Sequence, residues 1–294
     1  MRADKRIRYI SLILSLVMSG SVVCACNDDA VSESTVISET IATTPTETTK
    51  ETIEYTINNA VDASNVIADY ASKNQIDVSS YPQEIIDLFV AFPDAYDFVM
   101  EYPLHLQEIS EGEDDSYEYP DISSEISKVV VPKLYQWDTR WGYRDYCGKM
   151  FGANGSGPTC VSIAAIYFLG NKDLTPAWIM DYAINNSFCD LSGAGTYRTL
   201  ITTGANNLGI DVVQITVDED RVKRNLDVGN LVVCSMGSGI FSNPYEAEHF
   251  IIITGYSDEG FSVIDPASKS RTEQLWTWDG LATSMNIPWV YRMM

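Results

Sequence analysis

Positive charge is scarce in this chain. Nineteen lysines and arginines face 41 aspartates and glutamates, a formal charge of −22 over 294 residues. Such a field repels phosphate backbones and anionic headgroups, which argues against nucleic acid and against adhesion to anionic lipid through basic patches. Only two histidines are present, His105 and His249, and no motif has metal-ligand spacing. Beyond the first 25 residues no apolar run approaches ~20 residues, so nothing there is expected to span a bilayer. There is no internal repeat. What remains is 45% hydrophobic residues with 17 tyrosines, enough to bury a sizeable core in one or two domains.

The amino terminus reads as a targeting signal over residues 1–25. Arg2, Lys5, Arg6 and Arg8 form a basic start, and Ile10 to Val17 an apolar segment too short to cross a membrane unaided. Val23-Cys24-Ala25-Cys26 then resembles a bacterial lipobox. The resemblance implies cleavage before Cys26, lipid on its sulfur, and an extracytoplasmic protein anchored to the cell membrane. Cys24 fits less well because Val23 precedes it, and plain secretion is the alternative. Residues 26–59 are mostly Ser, Thr, Asp, Glu and Ala, with little to offset the entropy of ordering. They are expected to be an acidic tether.

Residues 60–125 read as a small helical extension and a linker. Val61 to Lys73 is weakly amphipathic. Tyr81 to Phe89 and Pro93 to Met100 each carry helical periodicity behind a proline. This part is expected to pack as a helical layer, with a pro-segment or regulatory arm as the other reading. His105 lies outside any catalytic pattern. Glu108 to Glu125 is acidic and poor in aliphatics, as a linker would be.

Residues 126–294 form the main domain, helical first and stranded second. Ser162 to Gly170 is apolar nearly all round, as in a buried central helix. Thr175-Pro176 opens a second helix to about Asn185, and Gly195 to Leu208 is expected to be a third, stopped by Gly209. Strands follow at 211–217, 231–236, 249–254 and 261–265, the last two joined by the turn Ser257-Asp258-Glu259-Gly260. Residues 289–292 are expected to close the sheet. The order is that of an α+β fold.

The chemistry can be read from four segments. In Gly155-Ser156-Gly157-Pro158-Thr159-Cys160 a glycine-flanked residue enters a helix at its positive end. A thiol there would be acidified, yet the residue is serine, which is also a good helix cap. His249 opens a strand, and the following hairpin returns Asp265 near residues 249–252. An aspartate there would fix the histidine tautomer, as in a triad. Gln136, in Leu134-Tyr135-Gln136-Trp137, would offer its amide to an oxyanion beside the N–H of residue 156. Cys160, one turn further along the helix, is the alternative nucleophile, about 6 Å from the favoured position. Glu248, beside His249, would raise its pKa or crowd the cleft. Cys147, Cys160, Cys189 and Cys234 allow a disulfide whose pairing the sequence leaves open.

Taken in order, Gln136, Gly-x-Gly-Pro-Thr around Ser156, His249 and Asp265 resemble the C39-like peptidases, relatives of papain, over roughly residues 130–294. That family's loop commonly has cysteine where this chain has Ser156, and glycine where it has Glu248. The resemblance implies a papain-like fold, a peptide or protein as substrate or ligand, and no need of a cofactor or metal. It implies Ser156 as nucleophile, His249 as base, Asp265 as its orienter and Gln136 as oxyanion donor. With serine in place of cysteine, two expectations follow. One is a catalytically impaired relative that binds peptides. The other is a hydrolase working through Ser156 or, failing that, Cys160.

Overall fold

The computed structural model describes residues 55–106, 117–127 and 129–294. The signal segment, Cys26 and most of the tether lie outside the described residues. Helix α1 (Ala60–Asn74) starts where the Asn59 side chain accepts from the N–H groups of Val61 and Asp62, and ends at Gln75 in the left-handed region. It buries Ala63, Ile67 and Ala71, one per turn. Helix α2 (Gln83–Ala91) buries Ile85, Leu88 and Phe89, and α3 (Tyr96–Glu101) buries Phe98, Val99 and Met100. The α1–α3 layer shares a core with Tyr143, Ala153 and Ala267, and partly buried Trp137 and Tyr245 pack on that core.

Helix α4 (Ser156–Leu169) is the central one, buried from Ser156 through Ile166, and Gly170 ends it at φ +65°. Helix α5 (Pro176–Asn185) packs on it, capped by the Thr175 hydroxyl. Two short strands, β1 (Cys189–Asp190) and β2 (Gly195–Thr196), form a separate ladder. The expected helix from Gly195 therefore begins later. Gly195 sits at φ +107° and Tyr197 N–H bonds back to the Phe188 carbonyl, so the chain turns before it coils. The helical part is a π-turn over Leu200–Gly204 running into Ala205–Asn207.

The main sheet is antiparallel. Its strands are β3 (Ile210–Gln214), β4 (Leu231–Met236), β5 (His249–Ser257), β6 (Gly260–Ile264), β7 (Leu275–Trp276) and β8 (Met285–Met293), in the order β3-β8-β4-β5-β6-β7. Strand β8 does not close an edge. It inserts between β3 and β4, pairing Val290 with both Val213 and Val232. Alternation along β5 sends Phe250 and Ile252 to the α4 core, and Ile251 and Ile253 to a core with Phe241 and Trp276. One short helix, α6 (Glu219–Leu226), carried no expectation and packs through the single buried Val222. Helices first and an antiparallel sheet second make this a papain-like α+β fold. Among the described residues no helix is long and apolar enough to cross a membrane.

Candidate active site

Ser156 is the first residue of α4 and completely buried. Glycine is required on both sides by crowding. A Cβ on Gly155 would lie 2.6 Å from the Phe151 carbonyl oxygen, and one on Gly157 2.6 Å from Thr196. The first turn of a helix leaves its N–H groups free, and the Ser156 N–H finds the Glu246 Oε1 at 2.9 Å. The Ser156 hydroxyl does not cap its own helix. It donates to the Glu246 Oε2 at 2.8 Å and accepts from the Phe250 N–H at 3.1 Å.

His249, at the start of β5, lies between two carboxylates. Its Nδ1 is 2.8 Å from Glu246 Oε2 and its Nε2 is 2.8 Å from Asp265 Oδ1. All three side chains are about 1% exposed or less. Burial alone would disfavour the imidazolium, but Asp265 and Glu246 override it and raise the pKa to about 9. At neutral pH the ring therefore donates from both nitrogens.

Asp265 follows β6 and is also fully buried. It accepts from His249, from the Ala267 N–H at 2.9 Å and from the Arg271 guanidinium at 3.0 Å. Burial opposes its charge, yet His249 and Arg271 hold the carboxyl below its usual range. The Gln136 backbone N–H bonds to the Pro266 carbonyl at 2.9 Å, so this segment is fastened to the Asp265 turn. Its side-chain Nε2 donates to the Gly152 carbonyl at 2.9 Å, and its Oε1 is buried without a partner.

The structure thus gathers Ser156, His249 and Asp265 into one chain of hydrogen bonds, with Glu246 between the first two. Gln136 borders the same loop but spends its amide hydrogen on Gly152. Cys160 is a buried free thiol within α4, and burial, reinforced by Asp265 and Glu246, pushes its pKa well up. A thiol so disposed is a poor nucleophile. Glu248 neither crowds the histidine nor raises its pKa. It turns to Arg198 and the Ser235 hydroxyl, which hold its carboxyl low against the effect of burial. The carboxylate that matters is two residues earlier. Glu246 stands three residues before His249 in the loop joining β4 to β5, where no periodicity marks it.

The loops around the site are braced. Cys147, on the loop before Ser156, forms a disulfide with Cys189 of β1. The Ala247 N–H donates to the Ala194 carbonyl, and the Tyr146 and Thr196 hydroxyls share a hydrogen bond at 2.9 Å. Phe92 of the helical layer lies 6.4 Å from the Tyr245 ring, directly beside Glu246. Among the described residues no group of three or more His, Cys, Asp or Glu side chains is placed to hold a metal ion. Residues 129–294 match the profile of the peptidase C39-like family. No curated protein matches the chain.

Proposed function

The chain belongs to the peptidase C39-like family, and from that premise we propose that it is an extracytoplasmic lipoprotein whose C39-like domain binds peptides without cleaving them. One observation carries this reading: the Glu246 carboxylate takes both the Ser156 N–H and O–H and the Nδ1 side of His249. A general base must be able to accept a proton. With a pKa of about 9, only about 1% of His249 is neutral at pH 7. Even that fraction faces a carboxylate in place of the serine hydroxyl. The N–H that would bind an oxyanion is likewise occupied by a negative charge, which repels another. A hydroxyl is also a far weaker acid than the thiol that a thiolate–imidazolium site is suited to.

The peptide-binding part is supported by family membership and by a groove of about 490 Å³ beside the site, lined by Asp190, residues 194–199, Ala247 and Glu248. The net charge of −22 favours basic peptides over nucleic acid. The anchor is supported by the basic, apolar and small-then-cysteine order that ends at Cys26.

The test is hydrolysis of a broad panel of peptide and amide substrates by the purified protein. No turnover is expected, with binding of some peptides. Turnover that Ser156→Ala and His249→Ala both abolish overturns the reading. Lipid on Cys26 is checked by the mass of the mature amino terminus, and Cys26→Ala is expected to release the protein or leave a precursor.

A further inference from the structure

We propose that the α1–α3 layer is a latch on the site: anchored to the loop that leads into Ser156, it holds down the turns that carry Glu246 and Asp265 and keeps the site closed. The proposal concerns access alone and does not depend on whether peptides bind. The side chains of Gln136, Ser156, Glu246, His249 and Asp265 are all about 2% exposed or less, so solvent reaches them only when something moves. The residues that complete the core of the layer are chain neighbours of these. Trp137 follows Gln136, Ala153 comes shortly before Ser156, Tyr245 precedes Glu246, and Ala267 lies just beyond Asp265.

The layer is attached unequally on the two sides. Toward the loop before Ser156 the attachment is deep. The completely buried Phe98 stacks on Tyr143 at 4.4 Å, and the Tyr143 hydroxyl donates to the Phe98 carbonyl at 2.7 Å. The same ring fills the space over Gly152, where a Cβ would lie 2.7 Å from it. Toward the turns the attachment is shallower. Phe92 lies 6.4 Å from the ring of Tyr245, which is only partly buried. Asp94, also partly exposed, accepts from the Ser268 hydroxyl and from the Ser270 N–H, each at 2.9 Å. Water can compete for these two hydrogen bonds, so this side releases first.

The shallow side is the one tied to the histidine. Ser268 Oγ accepts from the Arg271 N–H at 3.2 Å and caps the short helix Lys269–Thr272. The Arg271 guanidinium on that helix reaches Asp265 Oδ2 at 3.0 Å, and Asp265 Oδ1 lies 2.8 Å from His249 Nε2. Release of Asp94 therefore frees the turn that fixes Asp265. The contacts left to hold the site shut are those from Ser156 to Glu246 and Phe250.

Amide hydrogen exchange, followed residue by residue in the full chain, tests the latch. The Ser156 and Phe250 N–H groups are bonded across the site, to Glu246 and to Ser156 Oγ, and report its opening. Ile163, buried in the middle of α4, reports global unfolding. Ser156 and Phe250 are expected to exchange faster than Ile163. Asp94→Ala should speed both at least ~10-fold, about the effect of losing one hydrogen bond to a charged acceptor. Asp94→Asn, which keeps an acceptor oxygen without the charge, should have a smaller effect. Val222→Ala, in the core on the other face of the sheet, should speed Ile163 and leave Ser156 and Phe250 unchanged. A second readout is alkylation of the thiol introduced by Ser156→Cys with Glu246→Ala, which Asp94→Ala should also speed at least ~10-fold. Exchange at Ser156 and Phe250 that ignores Asp94→Ala overturns the proposal. So does an equal response of all three amides to Asp94→Ala and Val222→Ala, since the site would then open only when the whole domain unfolds.

Discussion

Raising the pH from 6.5 to 9 should destabilise the protein, and the amount can be worked from His249. Its pKa is raised from an ordinary 6.5 to about 9 in the folded state. Below pH 6.5 the ring is protonated in both states, so the full stabilisation by Glu246 and Asp265 is present. Between the two pKa values the folded protein keeps a proton that the unfolded chain has released, so stability falls as pH rises. The shift corresponds to about 3 kcal/mol, or roughly 10 °C in Tm for a domain of this size. The slope is about −1 kcal/mol per pH unit over pH 7–8, below the range near ~8.5 where unfolded cysteines titrate. Urea denaturation at half-unit steps of pH measures it. Glu246→Gln should flatten the slope, because one of the two carboxylates is gone. A slope of zero in the unmodified protein, or one indifferent to Glu246→Gln, refutes the reasoning.

The same carboxylate alters what a restored thiol can do. Ser156→Cys alone should not give a reactive cysteine, because a charge about 4 Å away raises a thiol pKa by up to ~3 units. Adding Glu246→Ala should speed alkylation by iodoacetamide at least ~10-fold at pH 7.5, with Cys160 unlabelled in both proteins. Fast alkylation of the single variant contradicts this. Reducing Cys147–Cys189, which are 42 residues apart, should cost about 2–4 kcal/mol in denaturant titrations, from loop-closure entropy. An unchanged midpoint with two new free thiols would count against it. Phe98→Ala should cost about 3–5 kcal/mol, because Phe98 is completely buried, stacks on Tyr143 at 4.4 Å and fills the space over Gly142 and Gly152. A loss under ~1 kcal/mol would mean that the helical layer does not brace the domain.

What the sequence made legible depended on local pattern. Short apolar runs at 231–236 and 249–254, buried on both faces, mark β4 and β5, and the four-residue turn at 257–260 brings Asp265 back to His249. The apolar run after Pro158 marks α4, because a helix buried all round shows no polar face. Pattern failed where a few tertiary contacts decide the structure. The β1–β2 ladder has only two residues per strand, so Gly195–Thr196 looked like the start of a helix. Residues 289–292 are expected to close the sheet yet lie inside it, since only pairing partners distinguish an edge from a central strand. Glu246 has neither period nor motif. Glu248 drew attention by adjacency to His249, yet it is held by Arg198 and Ser235 and faces away from the ring. The disulfide pairing needed the fold, because cysteine spacing alone allows several.

The central claim is that His249 is an imidazolium held between two carboxylates, and its own titration tests this most directly. With only two histidines in the chain, His105→Gln leaves a single imidazole to follow by nuclear magnetic resonance of 15N-labelled protein. The account predicts that both ring nitrogens remain protonated at pH 8 and that the midpoint lies near 9. A neutral ring at pH 7.5, with one nitrogen bare and able to accept the Ser156 proton, would contradict it.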